Sequence, residues 1–416
     1  MRPFVTTAVG NAALALIGLL TGMLAARILG AEGRGQLAAV QAWPLLLATL
    51  GSFGLMEAIA FFVARFPLRA RAVLATGLLL AVPFTLVAVV AGMWLLPHVL
   101  RTQTTEVRDT ALLSLAIVPA LMASTAPSHA LRGVGRYQAW NVLRLVTPLA
   151  WLSTLVAVRG THYATVPTLA IAFVGATMLA AVITHVCAWR FLQGPPAPDR
   201  SLARPMLAYG APTLAASIPH WLNLRVDQLI VIAFLDARAL GLYVVAVAWS
   251  GAAHPLAQVV AHNAVPALAG VQDTRERSRL VYRAGAAAAI GSSALLLAAT
   301  PILLPFIFGA EFRAAIPVAL ILVLAGAVDA TNAVGAECLR GVGRPRAVLG
   351  AECIGLAVTA VGLPILVLVA GIIGAASASL MSYAAILIVQ RRLMRARAAA
   401  SLEFTAAIPP KLDPIG

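Results

Sequence analysis

Charge is scarce in this chain, and negative charge is scarcest: 15 Asp and Glu among 416 residues, against 30 Lys and Arg. Charged residues make up only 11% of the sequence. A soluble globular domain carries roughly 25%, so most of this surface must face something other than water. Cysteine is nearly absent too. Cys187, Cys338 and Cys353 have no ligand spacing and lie in or near apolar segments, which predicts three free thiols and no metal. HExxH, GxSxG and Walker A patterns and paired-carboxylate loops are all missing. The longest polar stretches are 193–201, 270–279 and the tail after Arg397, too short for a catalytic domain. Neither an enzyme nor a cofactor is expected.

Apolar sequence fills the space that charge leaves. The chain is 61% hydrophobic, with a mean hydropathy of +0.93. A bilayer-spanning helix needs roughly 20 apolar residues, and about twelve stretches qualify. They centre near Leu16, Leu50, Val87, Val118, Leu152, Thr177, Pro219, Val259, Leu295, Leu324, Leu363 and Leu380. The last two are nearly fused across Ala370-Gly371-Ile372. The predicted fold class is an all-α polytopic membrane protein. Many stretches carry an internal proline, among them Pro44, Pro83, Pro212, Pro219 and Pro364. Each can serve as a hinge or be an ordinary membrane-helix kink.

The hexapeptide Leu-Arg-Gly-Val-Gly-Arg occurs at Leu131–Arg136 and again at Leu339–Arg344, half a chain length apart. A second pair of segments agrees. Leu29, Gly35 and Trp43 align with Leu235, Gly241 and Trp249 at a nearly equal offset. Two ordered matches point to internal duplication. Six apolar stretches then fall in each half, which predicts two six-helix bundles as parallel repeats with a cleft between them. The expected boundaries are an N-terminal lobe at 1–192, a cytoplasmic linker at 193–204, a C-terminal lobe at 205–397 and a disordered cytoplasmic tail at 398–416. The first apolar stretch loosely resembles a signal peptide, but its counterpart in the second half is internal, which argues against cleavage.

The cations sort by loop. With a cytoplasmic amino terminus, 21 fall in cytoplasmic loops and 7 on the other side, Arg27 and Arg34 among those seven. The positive-inside rule then puts both termini in the cytoplasm, and the charge needs no nucleic-acid partner. The arginines of the duplicated hexapeptide have two readings. They hold a phosphate, or they set topology beside a tight turn.

Polar groups at bilayer depth are functional candidates. His220, Asn223 and Asp227 share a face of the seventh stretch. Arg225 points about 160° away from Asp227, near Gln228, so the two charges cannot pair locally. Ser250, His254, Gln258 and His262 repeat every four residues as a polar stripe. The two histidines lie about 12 Å apart along the axis and cannot share a metal. Asp329 and Asn332 share a face in the tenth stretch. Glu57 and Arg144 are single candidates, and Arg144 can also snorkel to the interface. Glu337 and Glu352, near Arg340 and Arg346, read as interfacial salt bridges.

Several of these segments resemble a known family. Ala26-Arg-Ile-Leu-Gly-Ala-Glu-Gly-Arg-Gly-Gln36 resembles the ARxLGPEGxG signature of bacterial polysaccharide exporters, with Ala31 in place of the proline. Trp221–Leu229, Ala239–Tyr243, Cys338–Pro345 and Gly371–Ala376 resemble later parts of the same family. The resemblance implies an oligosaccharide flippase of the multidrug/oligosaccharidyl-lipid/polysaccharide exporter superfamily. Its members form a V-shaped pair of six-helix lobes around a cationic cavity. They turn undecaprenyl-pyrophosphate-linked glycan from the cytoplasmic to the periplasmic leaflet of the bacterial inner membrane, for O-antigen, lipopolysaccharide or exopolysaccharide synthesis. On that resemblance Arg225 attracts pyrophosphate, together with Arg144 by position. Asn223, His220, Gln228, Ser250, His254, Gln258, His262 and Glu57 line the sugar path. Asp227, Asp329 and Asn332 couple transport to an ion. Expected partners are the lipid-linked oligosaccharide, membrane lipids, and glycosyltransferases or a polymerase of the same pathway. A drug/cation antiporter of the superfamily, a membrane-bound glycan polymerase and a non-transporting scaffold for glycan assembly are the rivals.

Overall fold

The computed structural model describes residues 2–101, 103–254, 260, 274–341 and 344–406. Among these residues the chain forms thirteen α-helices and no strand. They are α1 (Arg2–Gly51), α2 (Leu55–Arg65), α3 (Ala70–Val99), α4 (Thr105–Leu113), α5 (Ile117–Gly133), α6 (Tyr137–Leu143), α7 (Val146–Val158), α8 (Val166–Trp189), α9 (Arg200–Phe234), α10 (Ala237–Ser250), α11 (Thr274–Phe308), α12 (Ile316–Gly341) and α13 (Pro345–Ala406). Eight helical stretches are long and apolar enough to cross a membrane. The large side chains left outside suit a bilayer. Leu79, Val82, Leu86, Val90 and Trp94 on α3, and Leu295, Ile302 and Phe306 on α11, are all exposed. Lipid tails cover such side chains where water would not.

Two of the long helices are broken. Gly30 (φ 69°) interrupts α1, and Ala370-Gly371 (Gly371 φ 57°) interrupts α13. Glycine enters this left-handed region without a Cβ clash. A third break, at 52–54, separates α1 from α2 and puts Phe53 at φ 47°. The Phe53 ring is held there by stacking on Phe84, 4.0 Å between centroids.

Both copies of the duplicated hexapeptide end a helix in the same way. The Arg136 N–H donates to the Leu131 carbonyl at 3.0 Å, and the Arg344 N–H to the Leu339 carbonyl at 2.9 Å. In the first copy the Gly135 N–H also donates to the Arg132 carbonyl, with Gly135 at φ 75°. This six-to-one and five-to-two pair is the Schellman arrangement, which needs an αL residue where Gly135 stands. Helix termination therefore explains the motif. Its arginines go to protein partners: Arg132 to Glu57, Arg340 to Glu337, and Arg344 to the Leu393 carbonyl.

The two segments that the sequence aligns meet in space. A Cβ on Gly35 would fall on the Ala237 carbonyl of α10, and one on Gly241 would fall on the Ala31 carbonyl of α1. Each glycine of the matched pair thus lies against the other's helix, with backbones touching. Closeness of this kind is open only to residues without a side chain.

Helix α9 starts at Arg200, inside the stretch read as linker, where the Asp199 carboxylate caps the Ser201 N–H. Asp199 also pairs with Arg69, and its N–H donates to Thr76 Oγ1 at 2.8 Å. The Arg71 N–H donates to the Gln193 carbonyl at 2.9 Å. The segment between α8 and α9 is therefore strapped to the start of α3. The first turns of α9 follow it: Tyr209 stacks on Phe61 at 4.4 Å, and Gly210 lies against the backbone of Phe53 and Gly54. At the other end of the chain, α13 continues through 398–406, part of the stretch read as disordered tail.

Candidate functional site

Between α1 and the pair α9 and α10 lies a cavity of about 610 Å³. Its walls are mostly small and apolar, Ala12, Ala15, Gly18, Ala42, Ala248 and Gly251 among them. Four long polar side chains enter it: Arg34 and Gln41 from the second part of α1, and Arg225 and Gln228 from α9. Arg34 Nε and Gln41 Nε2 are buried without a hydrogen-bond partner among the described residues. Buried donors facing a cavity are suited to an anion or to carbohydrate oxygens, since an unmet donor costs about 1–3 kcal/mol. The sequence reading put Arg34 in a loop on the outer side, where the sorting of cations placed it. The structure makes 31–51 helical, which carries Arg34 into the cavity wall. The usable signal was spacing. Arg34, Ala38, Gln41 and Leu45 fall on one helical face.

The other candidates gather elsewhere. Asn223, Asp227, Ser250 and His254 make their contacts within the second half of the chain. The buried Asp227 carboxylate accepts from Tyr243 Oη at 2.6 Å, the Gln228 N–H at 2.7 Å and Ser379 Oγ at 3.4 Å. Asn223 Nδ2 donates to the Glu352 carbonyl and carboxylate at 3.1 and 3.0 Å. Glu352 thus binds α9 through Asn223. Tyr383 Oη donates to the Asn223 carbonyl at 3.4 Å, and Asn332 Nδ2 to the Tyr383 carbonyl at 2.9 Å. His254 Nε2 lies 3.7 Å from the Asp329 carboxylate, and Ser250 returns its hydroxyl to Val247 of its own helix. The Oδ1 atoms of Asn223 and Asn332 are buried acceptors without a donor among the described residues. Asn223 and Asn332 thus both bind Tyr383 of α13, and no group of three or more acidic, histidine or cysteine side chains placed to hold a metal ion occurs among the described residues. Sequence reading missed both tyrosines, since neither stands out in an apolar helix. Gln258, His262 and the His220 side chain lie outside the described residues.

Glu57 and Arg144 sit together in the first half. The Arg132 guanidinium donates to the Glu57 carboxylate, with His129 3.7 Å away. Arg144 Nη2 donates to Asn11 Oδ1 at 2.8 Å, and its guanidinium lies 4.4 Å from the Trp140 ring centroid. Their partners come from α1, α2, α5 and α6, so both charges are held inside this half.

Comparison with known proteins gives the same picture. A family model described as polysaccharide biosynthesis protein matches residues 2–272. No curated protein matches. Among solved structures, a lipid II flippase, MurJ, in an inward closed conformation is 13% identical, with 93% of this chain and 87% of that chain covered and a TM-score of 0.76. An inward-facing MATE family multidrug resistance transporter of the MOP superfamily is 14% identical, covering 96% and 100%, with a TM-score of 0.66. An outward-facing form of such a transporter is 15% identical, covering 96% and 95%, with a TM-score of 0.58. These likenesses are of fold.

Proposed function

The chain belongs to the polysaccharide biosynthesis protein family, and from that premise we propose that it carries a lipid-linked oligosaccharide across a bacterial cytoplasmic membrane by alternating access. The carrier lipid we assign is undecaprenyl pyrophosphate, moved from the cytoplasmic to the outer leaflet for cell-surface polysaccharide. The observation that carries this reading is the cavity with Arg34 on one wall and Arg225 on the other. Two guanidinium groups from two halves match a diphosphate, and their planar donors suit its oxygens. Gln41 and Gln228 offer donors and acceptors to sugars, and the apolar remainder suits a lipid chain. Fold likeness to a lipid II flippase supports the substrate class.

The arrangement we propose is twelve passes in two six-helix lobes. Gly30 and Ala370-Gly371 then divide α1 and α13 into two passes each, and α2 completes the second. The Gly35–Gly241 contact lies where two such repeats would meet. Both termini, and the strap at Asp199, then face the cytoplasm. In this scheme Asp227, Asp329 and Asn332 bind the coupling ion inside the second lobe, which leaves the arginines free for substrate. Lobe bounds of 1–192 and 205–397 stand as part of the proposal, with the first turns of α9 packed against the first lobe.

The experiment is leaflet accessibility of undecaprenyl-pyrophosphate glycan in cells depleted of the protein. Accumulation on the cytoplasmic face is expected. Normal crossing with no pathway intermediate building up would overturn the substrate. The buried Asp227 carboxylate and the His254–Asp329 pair favour one alternative, a cation-coupled drug antiporter; drug-dependent cation efflux from proteoliposomes, with no leaflet defect, would establish it.

A further inference from the structure

Arg27 is exposed, yet two of its guanidinium nitrogens are engaged. Nε donates to the Ile307 carbonyl at 2.7 Å and Nη2 to the Phe306 carbonyl. Those carbonyls belong to the last turn of α11, which ends at Phe308. They are among the four that a helix cannot satisfy itself, at the end where its dipole attracts a cation. The donor lies in the first half of the chain and the acceptors in the second, 280 and 279 residues away.

The surroundings make this contact breakable. It opens onto a groove of about 1030 Å³ whose lining includes Arg159, Thr161, Gly309 and Glu311. Glu311 reaches back across the halves: a Cβ on Gly30 would lie 3.2 Å from its carboxylate. Hydrogen bonds at a wet groove exchange readily with water, so separation strands no buried charge. Beyond this point the halves meet at the close backbone contact of Gly35 and Gly241. The aligned position of Arg27 in the second half is Ala233, so the device is single and belongs to one repeat.

We propose that Arg27 is the latch that keeps the outer end closed, and that opening to the outside requires its release from the α11 terminus. The proposal rests on the alternating-access reading above. It assigns Arg27 to conformational control and leaves substrate binding to Arg34 and Arg225.

A cysteine reporter in the cavity tests it. Gly18 lines the cavity and has open space around it, so Gly18→Cys in a background with Cys187, Cys338 and Cys353 replaced by Ser gives one accessible thiol. Spheroplasts are treated with a membrane-impermeant maleimide. With Arg27 present, labelling requires permeabilisation. With Arg27→Ala, labelling from outside rises about tenfold or more, in line with the loss of hydrogen bonds to a charged donor. Arg27→Lys keeps the charge without the fork and gives an intermediate rate; it decides the matter if the alanine variant fails to accumulate. Unchanged outside labelling in both variants, with normal total labelling after permeabilisation, overturns the latch. Outside labelling with Arg27 intact, and none from inside, overturns both the latch and the assigned sidedness. A latch effect in cells with no leaflet defect upholds the latch and removes the substrate reading alone.

Discussion

Asp227 and Tyr243 are matched at the level of single atoms. The tyrosine is fully buried, and its hydroxyl meets the Asp227 carboxylate at 2.6 Å. Tyr243→Phe leaves that carboxylate short of a donor inside the protein, at a cost of about 1–3 kcal/mol. The expected result is a lower Tm in detergent, and an unchanged Tm would show the bond to be dispensable. Arg34 and Arg225 carry a functional prediction instead. Either alanine variant is expected to reach normal protein level and to lose glycan export by on the order of tenfold or more, as for a charged hydrogen bond to phosphate. Arg225→Lys is expected to recover only part, since a single ammonium replaces the planar fork. Wild-type export in both alanine variants would remove the diphosphate site. Arg34 escaped the sequence reading for a physical reason. Glycine next to arginine is compatible with a turn and with close helix packing, and only the α10 neighbour selects the second.

At the scale of elements, the α1–α10 contact and the Asp199 strap are the informative joints. Gly35→Leu places a side chain where the α10 backbone runs. Overpacking costs typically about 1–3 kcal/mol in a core that can shift, and here backbone must move. A marked fall in Tm is expected, with Gly241→Leu doing the same; tolerance of both would mean the helices separate freely. Asp199 responds to pH. Hydrogen bonds from Ser201, and then Arg69, hold its carboxyl below the ordinary value. A group depressed in the folded state contributes stability above its unfolded pKa and loses it as pH falls through the carboxylate range. Wild-type Tm is therefore expected to drop on acidification more than that of Asp199→Asn. Parallel curves would show the strap to be irrelevant to stability. Helix α9 was legible as an apolar stretch, but its split allegiance was not. Tyr209 and Gly210 pack on α2 and its preceding turn, while Asn223 and Asp227 bind α10 and α13. Pro212 and Pro219 stand between the two groups.

For the molecule as a whole, the structure contains a mostly apolar cavity entered by two arginines and, apart from it, a groove where Arg27 binds the end of α11. Its likeness to solved structures is greater for the inward-facing than for the outward-facing transporter form. On the proposed alternating-access reading, a state closed at one end has to open there, and the contacts at that end decide how readily. The Arg27 contact and the Gly35–Gly241 contact differ in kind: one is polar and lines a groove, the other is a close approach of two glycine backbones. A proposed cycle would therefore break hydrogen bonds at the rim while the helices slide at the centre.

The sequence by itself determined the all-helical membrane character and the family. The first follows from composition and apolar run length, which are properties of local chain and solvent, and the second from short motifs that resemble a known family. It also named Arg225 and Gln228, which do line the cavity. Only the tertiary structure decided which polar face meets which neighbour. Asn223, Asp227, Ser250 and His254 turn into the second half, and Glu57 and Arg144 into the first, while Arg34 and Gln41 come forward. In a helix that is apolar on nearly every side, the usual contrast between a wet and a dry face is lost. Side-chain direction is then set by partner helices, and pairing between distant helices is not written in local spacing.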